Sequence, residues 1–427
     1  MIELKPNIFN KFTCPECKSS SVEINDIVFP GIHILADCKC SRCQTNFYAD
    51  FPIGHALFYP LSFNKETLKL YYDNEKIKWI SEPLVNSYLK KNDTLIIIQK
   101  KIFNEAKEVI LLNCIDYLYG HVLLKLFNSL QYLEKHKNLG LIIIIPKQFE
   151  WLVPGGVSEV WTVDIKLNQA RDWFVSINTF ISYELKRFSK VYLSLAFSHP
   201  EFDSFNIEKF TGIKPFNIHD FSKKIIAITF IYREDRLWTS GKLVSYISNI
   251  INQIPSLKLI KRFLILNQNR KIVKTFYLLK KIFPKAVFNI AGVGTVGKYP
   301  SFINDVRKNE VDVRTEKLWC KIYSESHLVI GIHGSNMLIP TSLAAGFIEL
   351  LPVSRDDNFL QDIARSFNNR MDVFLGRFCH EHIVPSELAV KAASIIKTFP
   401  EAYIRYNSSF LEHKVYNDTS IWKLDGK

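Results

Sequence analysis

The chain has 427 residues, with 55 Lys+Arg against 42 Asp+Glu, a formal net charge of +13, and it is 47% hydrophobic and 13% aromatic. That composition excludes a disordered or low-complexity protein and suits two or three domains. The basic balance suits anionic partners such as nucleotides, nucleic acid or a membrane face, although scattered lysines are also what a solvated basic surface looks like. The opening "MIELKPNIFNKF" lacks the apolar core of a secretory signal, and no apolar run approaches the length of a membrane span. These features predict a cytoplasmic protein, with peripheral attachment to the inner face of the membrane through the basic surface as a second option.

Five of the eight cysteines fall within residues 14–43. Cys14-x-x-Cys17 and Cys40-x-x-Cys43 read as two knuckles, each aiming two thiolates at one ion, and together they predict a structural Zn²⁺ ribbon over residues 1–55. Cys38 competes with Cys40 as the third ligand, because the two stand two residues apart. Four thiolates leave no open position for catalysis.

From about residue 60 the pattern changes. Apolar runs at 94–99, 108–113, 139–146, 159–165 and 190–197 read as strands, with helical periods between them at 121–137 and 174–190. A second series starts near 222: strands at "IIAITFIY", "RFLILNQ", "AVFNIAGV", "HLVIGIH" and "GFIELLP", with helices at "GKLVSYISNIINQI", "KIVKTFYLLKKIF", "TEKLWCKIYSES" and "MLIPTSLAA". Continuous apolar strands alternating with helices predict parallel sheets covered on both faces. The predicted organisation is a zinc ribbon (1–55), a first Rossmann-like domain (56–220), a second (221–400) and a helical tail (401–427). The fold class is α/β, with the two doubly wound domains facing each other across a cleft.

Ligands of such sheets sit beyond the carboxyl ends of the strands. In the second series, His333-Gly334 closes the strand "HLVIGIH", Ser335 and Asn336 are placed to cap the next helix, and Glu349 ends the following strand. An imidazole, a glycine turn and helix amides suit a diphosphate, and a carboxylate suits a ribose diol. The plainer alternative is a core histidine and a solvated strand end. Arg233 and Arg236 follow "IIAITFIY", and their forks suit paired phosphate oxygens, or else each other's neighbours Glu234 and Asp235 in a surface turn. "GVGTVG" (292–297) matches GxGxxG but follows an interior strand, so it is not read as a dinucleotide site; a flexible glycine loop is expected. In the first series, His121 at a helix start, with Asp116 to orient or replace it, is a candidate base, and His199 is a second.

The stretch "SHLVIGIHGSNMLIPTSLAAGFIELLP" resembles glycosyltransferase family 61, as does "FIYREDRLW". "YGHVLLKLFNSLQYL" is similar to that family's N-terminal histidine segment. The resemblance covers roughly residues 105–355. It implies a GT-B fold and transfer with inversion from a nucleoside-diphosphate sugar, a UDP-sugar by family habit. It implies no catalytic metal. The acceptor hydroxyl would belong to a glycan, lipid-linked or protein substrate, in bacterial surface polysaccharide synthesis. By motif position Arg233, Arg236, His333, Gly334, Ser335 and Glu349 would hold the donor, with Asn336 in the same turn, and His121 would serve the acceptor. The turn here is His-Gly-Ser-Asn where the family has His-Gly-Ala-Gly, and the cysteine segment is not part of the family pattern. Two further readings compete: a nucleic-acid binder using ribbon and basic surface, and an inactive transferase-like scaffold.

Overall fold

The computed structural model describes residues 1–8, 11–72, 75–202, 205–242, 244, 258–365 and 370–406. Most of the expected helix at 241–254, and the tail beyond residue 406, lie outside these. The chain divides into two compact units, Met1–Glu201 and Phe202–Lys427. Among the described residues, no helix is long and apolar enough to cross a membrane.

The first unit holds two sheets. The strands β1 (Ile2–Lys5), β7 (Ile98–Ile102), β8 (Glu108–Asn113), β9 (Gly140–Pro146), β10 (Glu159–Val163) and β11 (Lys190–Leu193) form one, in the order β1-β11-β8-β9-β10-β7. The inner four are parallel and both edge strands are antiparallel. The fully buried run "GLIIIIP" of β9 shows why: a strand covered on both faces is apolar at every position. β10 was expected to run on to residue 165 and the first run to sit at 94–99. The latter strand begins only at Ile98 and reads Ile-Gln-Lys-Lys-Ile, as an exposed sheet edge allows.

The second sheet is antiparallel: β2 (Val22–Val28), β3 (Leu35–Cys40), β4 (Asn46–Asp50), β5 (Leu61–Asn64) and β6 (Leu70–Tyr72), paired in sequence order. Cys14, Cys38, Cys40 and Phe47 share one core with Val109, Leu111, Ile144 and Trp161 of the parallel sheet.

Among its described residues the second unit is built on six parallel strands: β12 (Ala227–Tyr232), β13 (Val287–Gly292), β14 (Ile303–Asp305), β15 (Leu328–Ile332), β16 (Gly346–Leu351) and β17 (Gly376–His380). Their order is β14-β13-β12-β15-β16-β17. Numbered along the chain this is 3-2-1-4-5-6, the doubly wound order of a Rossmann sheet, whose direction of growth reverses between β12 and β15. Helices Lys258–Ile282 and Pro385–Tyr406 pack their apolar stripes into its core. The run "RFLILNQ", expected as a strand, lies inside the first of these. Ile265, Gln268, Asn269 and Ile272 are buried while Phe263 and Arg270 are exposed, a spacing of three and four that marks a helix.

Candidate functional sites

In the second unit the site grows from the reversal point. The parallel register sets Gly331 of β15 opposite Glu349 of β16, and the His333 N–H donates to the Leu350 carbonyl (3.0 Å). Adjacent strand ends therefore bring the imidazole and the carboxylate together. His333 Nδ1 and Glu349 Oε2 are hydrogen-bonded at 2.5 Å, and Asp362 Oδ2 lies 3.4 Å from His333 Nε2. Both residues are completely buried. Glu349 thus does not stand on an open rim for a ribose; here it holds the histidine. Burial, reinforced by the charge of Asp362, pushes the Glu349 carboxyl well above the usual range, and burial holds His333 below its own against the pull of Asp362.

Above this floor stand the arginines that follow β12. Arg233 donates through Nη1 to Asn336 Oδ1 (2.7 Å) and through Nε to Asp235 (2.7 Å), and Arg236 donates to the His333 carbonyl. Both are half-buried, as are Ser335 and Asn336. Gly334 has φ +151° and ψ 171°, a conformation only glycine adopts readily, and a Cβ there would lie 2.6 Å from Arg233 Nη1 and 2.9 Å from Arg236 Nη1. The glycine lets two guanidinium groups close over the turn. Burial, together with the charges of Arg233 and Arg355, brings Arg236 down to about 10. Cations crowded in this way are relieved by an anion.

Ser335 and Asn336 do not cap a helix. Ser335–Met337 is a single 3-10 turn, the helix proper is only Leu338–Leu343, and the Asn336 oxygen is taken by Arg233. The donor set is therefore the arginines and the turn. Nor is the glycine loop 292–297 loose. Its Val296 N–H donates to Glu234 (2.9 Å), and the Val296 carbonyl accepts from Asn269 (2.7 Å) and from Arg307 (3.1 Å), whose guanidinium lies over the rings of Tyr232 and Tyr299. It braces the arginine-bearing segment.

In the first unit the inner strands run β11-β8-β9-β10, so growth reverses between β8 and β11. Asp116 follows β8 there and is completely buried. Its Oδ2 accepts from Lys125 Nζ (2.8 Å) and lies 3.1 Å from His55 Nε2. His121 Nδ1 is 3.1 Å from His55 Nε2 and 3.6 Å from Asp116 Oδ1. Burial alone would raise the Asp116 carboxyl, but Lys125, His121 and His55 hold it well below the carboxylate range; burial lowers His55 against the pull of Asp116. A small cavity beside them is lined by His55, Lys125, Asn113 and a second buried pair, His33 Nδ1 and Asp50 Oδ2 at 2.7 Å. The sequence reading had His121 and Asp116 but missed His55 and Lys125. Lys125 follows His121 by one helical turn, which was a usable signal; His55 comes from a turn after β4 and gave only a Gly-His pair. His199 hydrogen-bonds its own neighbour Ser198 (3.2 Å) and is held low by burial and by His121.

At the cysteine site the two knuckles repeat one geometry. Lys18 and Gln44, both with positive φ, donate to the carbonyls of Cys14 and Cys40 (3.0 and 2.9 Å). Cys14 Sγ is 3.5 Å from Cys43 Sγ, and Cys17 Sγ 3.6 Å from Cys40 Sγ. A tetrahedral ion with Zn–S bonds of about 2.3 Å spaces its sulfurs about 3.8 Å apart, so the four thiols fit zinc with small adjustment. The group is Cys14, Cys17, Cys40 and Cys43. Cys38 is not in it; burial pushes its thiol up to about 12.

No protein-family model and no curated protein matches the chain. Among solved structures it is similar to ADP-heptose lipopolysaccharide heptosyltransferase II of Escherichia coli, at 8% identity over 68% of this chain and 99% of that one, TM-score 0.38. It is also similar to a family 9 glycosyl transferase from Veillonella parvula, at 9% identity over 70% and 99%, TM-score 0.38. A third is the iron-containing dodecameric glycosyltransferase TibC of enterotoxigenic E. coli, at 9% identity over 87% and 83%, TM-score 0.31.

Proposed function

We propose that the protein is a glycosyltransferase that moves a sugar from a nucleoside-diphosphate donor to a hydroxyl acceptor, by single displacement with inversion. One observation carries the reading: Arg233, Arg236 and the glycine turn at 333–334 converge beyond the carboxyl ends of β12 and β15, at the reversal point of a Rossmann-ordered sheet. Doubly wound sheets bind nucleotides at that point. Two guanidinium forks there would hold a diphosphate and stabilise the charge that grows on it as the glycosidic bond breaks. The buried His333–Glu349 pair would fix the turn's carbonyl, and through it Arg236. The cluster around Asp116 would serve the acceptor, with His121 receiving its proton and Asp116 orienting the ring.

The test is isothermal titration of the full chain with UDP, ADP and GDP, and with a single-stranded oligonucleotide. Arg233→Ala and Arg236→Ala should each weaken nucleoside-diphosphate binding by about ten- to a hundredfold, the loss of one charge-assisted contact of about 1.5–3 kcal/mol. Binding of the oligonucleotide alone, with steep salt dependence, would replace this reading with a nucleic-acid one.

A further inference from the structure

We infer that His55, Asp116 and His121 form a binding site for one divalent first-row transition-metal ion, separate from the cysteine site. The inference stands on the geometry of the first unit and not on the transferase reading.

Three donors from three segments converge: His55 from the turn Gly54–Leu57, Asp116 from the loop after β8, and His121 from the first turn of the helix Tyr119–Phe127. Their separations are 3.1 Å (His55 Nε2 to Asp116 Oδ2), 3.1 Å (His55 Nε2 to His121 Nδ1) and 3.6 Å (His121 Nδ1 to Asp116 Oδ1). Donors about 2.1 Å from an ion and at right angles to one another lie about 3.0 Å apart. The two Asp116 distances fall on different carboxylate oxygens, so the set is two imidazole nitrogens and one carboxylate at near-ligand spacing, with one ligand atom from each residue within 4.8 Å of the others, and further positions are left for water or substrate. Such a set suits Zn²⁺, Fe²⁺, Co²⁺ or Mn²⁺ and is too rich in nitrogen for Ca²⁺ or Mg²⁺.

Hydrogen bonding alone serves this triangle poorly. An N···N separation of 3.1 Å requires one nitrogen to be bare. If His121 donates, the bare lone pair of His55 faces the Asp116 carboxylate; if His55 donates, its single hydrogen is split between Asp116 and His121. A cation inside the triangle satisfies all three lone pairs together. The donors are also held in place without it. Asp116 Oδ1 accepts from the Leu118 N–H (3.1 Å), Trp79 stands edge-on to His55 at 5.1 Å, and both histidine side chains are 14% exposed, which leaves an entry path. Lys125 is the opposing group, since its ammonium sits 2.8 Å from Asp116 Oδ2. It keeps the empty site neutral and sets a limit on affinity.

The experiment is a cobalt titration of the metal-stripped full chain, followed by absorbance and by metal analysis. Wild type should take up two ions: one with the sulfur-to-metal charge-transfer bands of a four-thiolate site, one with only weak ligand-field bands. His55→Gln and His121→Gln should each lose the second ion and keep the first, which also reports that the unit remains folded. Lys125→Met should bind the second ion about tenfold more tightly, because a like charge next to a ligand is removed. Uptake of the thiolate-bound ion alone by wild type would overturn the inference, as would a second ion that persists in both histidine variants or is indifferent to Lys125→Met. None of these readouts uses a nucleotide or an acceptor, so failure here is distinguishable from failure of the transferase reading. With the ion bound, His121 Nδ1 has no lone pair for a proton. The metal-free and metal-loaded protein should then differ in acceptor activation but not in nucleoside-diphosphate affinity.

Discussion

Gly334→Ala tests the donor site with two readouts that the structure separates. The substitution keeps the turn's backbone groups but adds one methyl group where φ is +151°. Holding alanine in that region costs about 1–3 kcal/mol. The new Cβ would lie 2.6 Å from Arg233 Nη1 and 2.9 Å from Arg236 Nη1. Ordinary contacts begin near 3.5 Å, so the two guanidinium groups must retreat by about 0.6–0.9 Å. Both are the far ends of long side chains, so that retreat itself costs little stability. It breaks the Arg233 contact to Asn336 and the Arg236 contact to the His333 carbonyl, which aim both forks. Urea unfolding followed by tryptophan fluorescence should therefore show a loss of about 1–3 kcal/mol in the second unit. Titration with UDP should show affinity down by about ten- to a hundredfold, or about 1.4–2.8 kcal/mol. A variant that loses the stability but binds the nucleotide as wild type does would place the diphosphate elsewhere. One that loses neither would refute the strain argument as well.

Three further outcomes are expected. Asp116→Asn leaves the Lys125 ammonium, almost wholly buried, without its counter-charge, and should destabilise the first unit by about 3–5 kcal/mol by urea denaturation. Zinc removal by a chelator should lower the melting temperature of the first unit, and hydrogen exchange should show β2 to β4 losing protection, because Cys14 and Cys40 are part of the shared core. Burial brings Lys271 down to about 8, below the ordinary lysine value of about 10.4. The folded state thus penalises the charged amine: the penalty is present below pH 8 and is relieved as pH rises to about 10.4, where both states are neutral. Lys271→Met should accordingly be more stable than wild type at neutral pH, and the gap between them should close across that window.

Much of the scaffold is readable from composition along the chain, for a physical reason. β8, β9, β12, β15 and β16 are covered on both faces, so nearly every position is apolar and the run announces itself. Edge strands do not: β1 and β17 are short and mixed, and β7 is exposed, so its polar residues hide it. "RFLILNQ" deceived because a buried helical stripe and a short strand share the same local composition. At the sites, residues that follow a strand were found and residues that arrive from elsewhere were not. Arg233, His333 and Asp116 announce themselves by ending apolar runs, whereas His55 reaches Asp116 across 61 positions, and no local pattern encodes such a meeting. Burial was the other blind spot. A glutamate closing a strand reads as exposed, and only the neighbouring β15 turns Glu349 into the inner partner of a histidine.

The strand Ile2–Lys5 has a consequence for how the first unit comes into being. It lies along β11 at one border of the six-stranded sheet, while β7 lies at the other, so the polypeptide visits one border, builds the whole antiparallel sheet, and returns at the opposite border. Ile2–Lys5 must wait for residues near 193 before it finds its neighbour, so closure of this border is a long-range event. A shortened chain starting after the knuckles would surrender a border strand along with its cysteines, exposing the hydrogen-bonding groups of β11 to any passing strand.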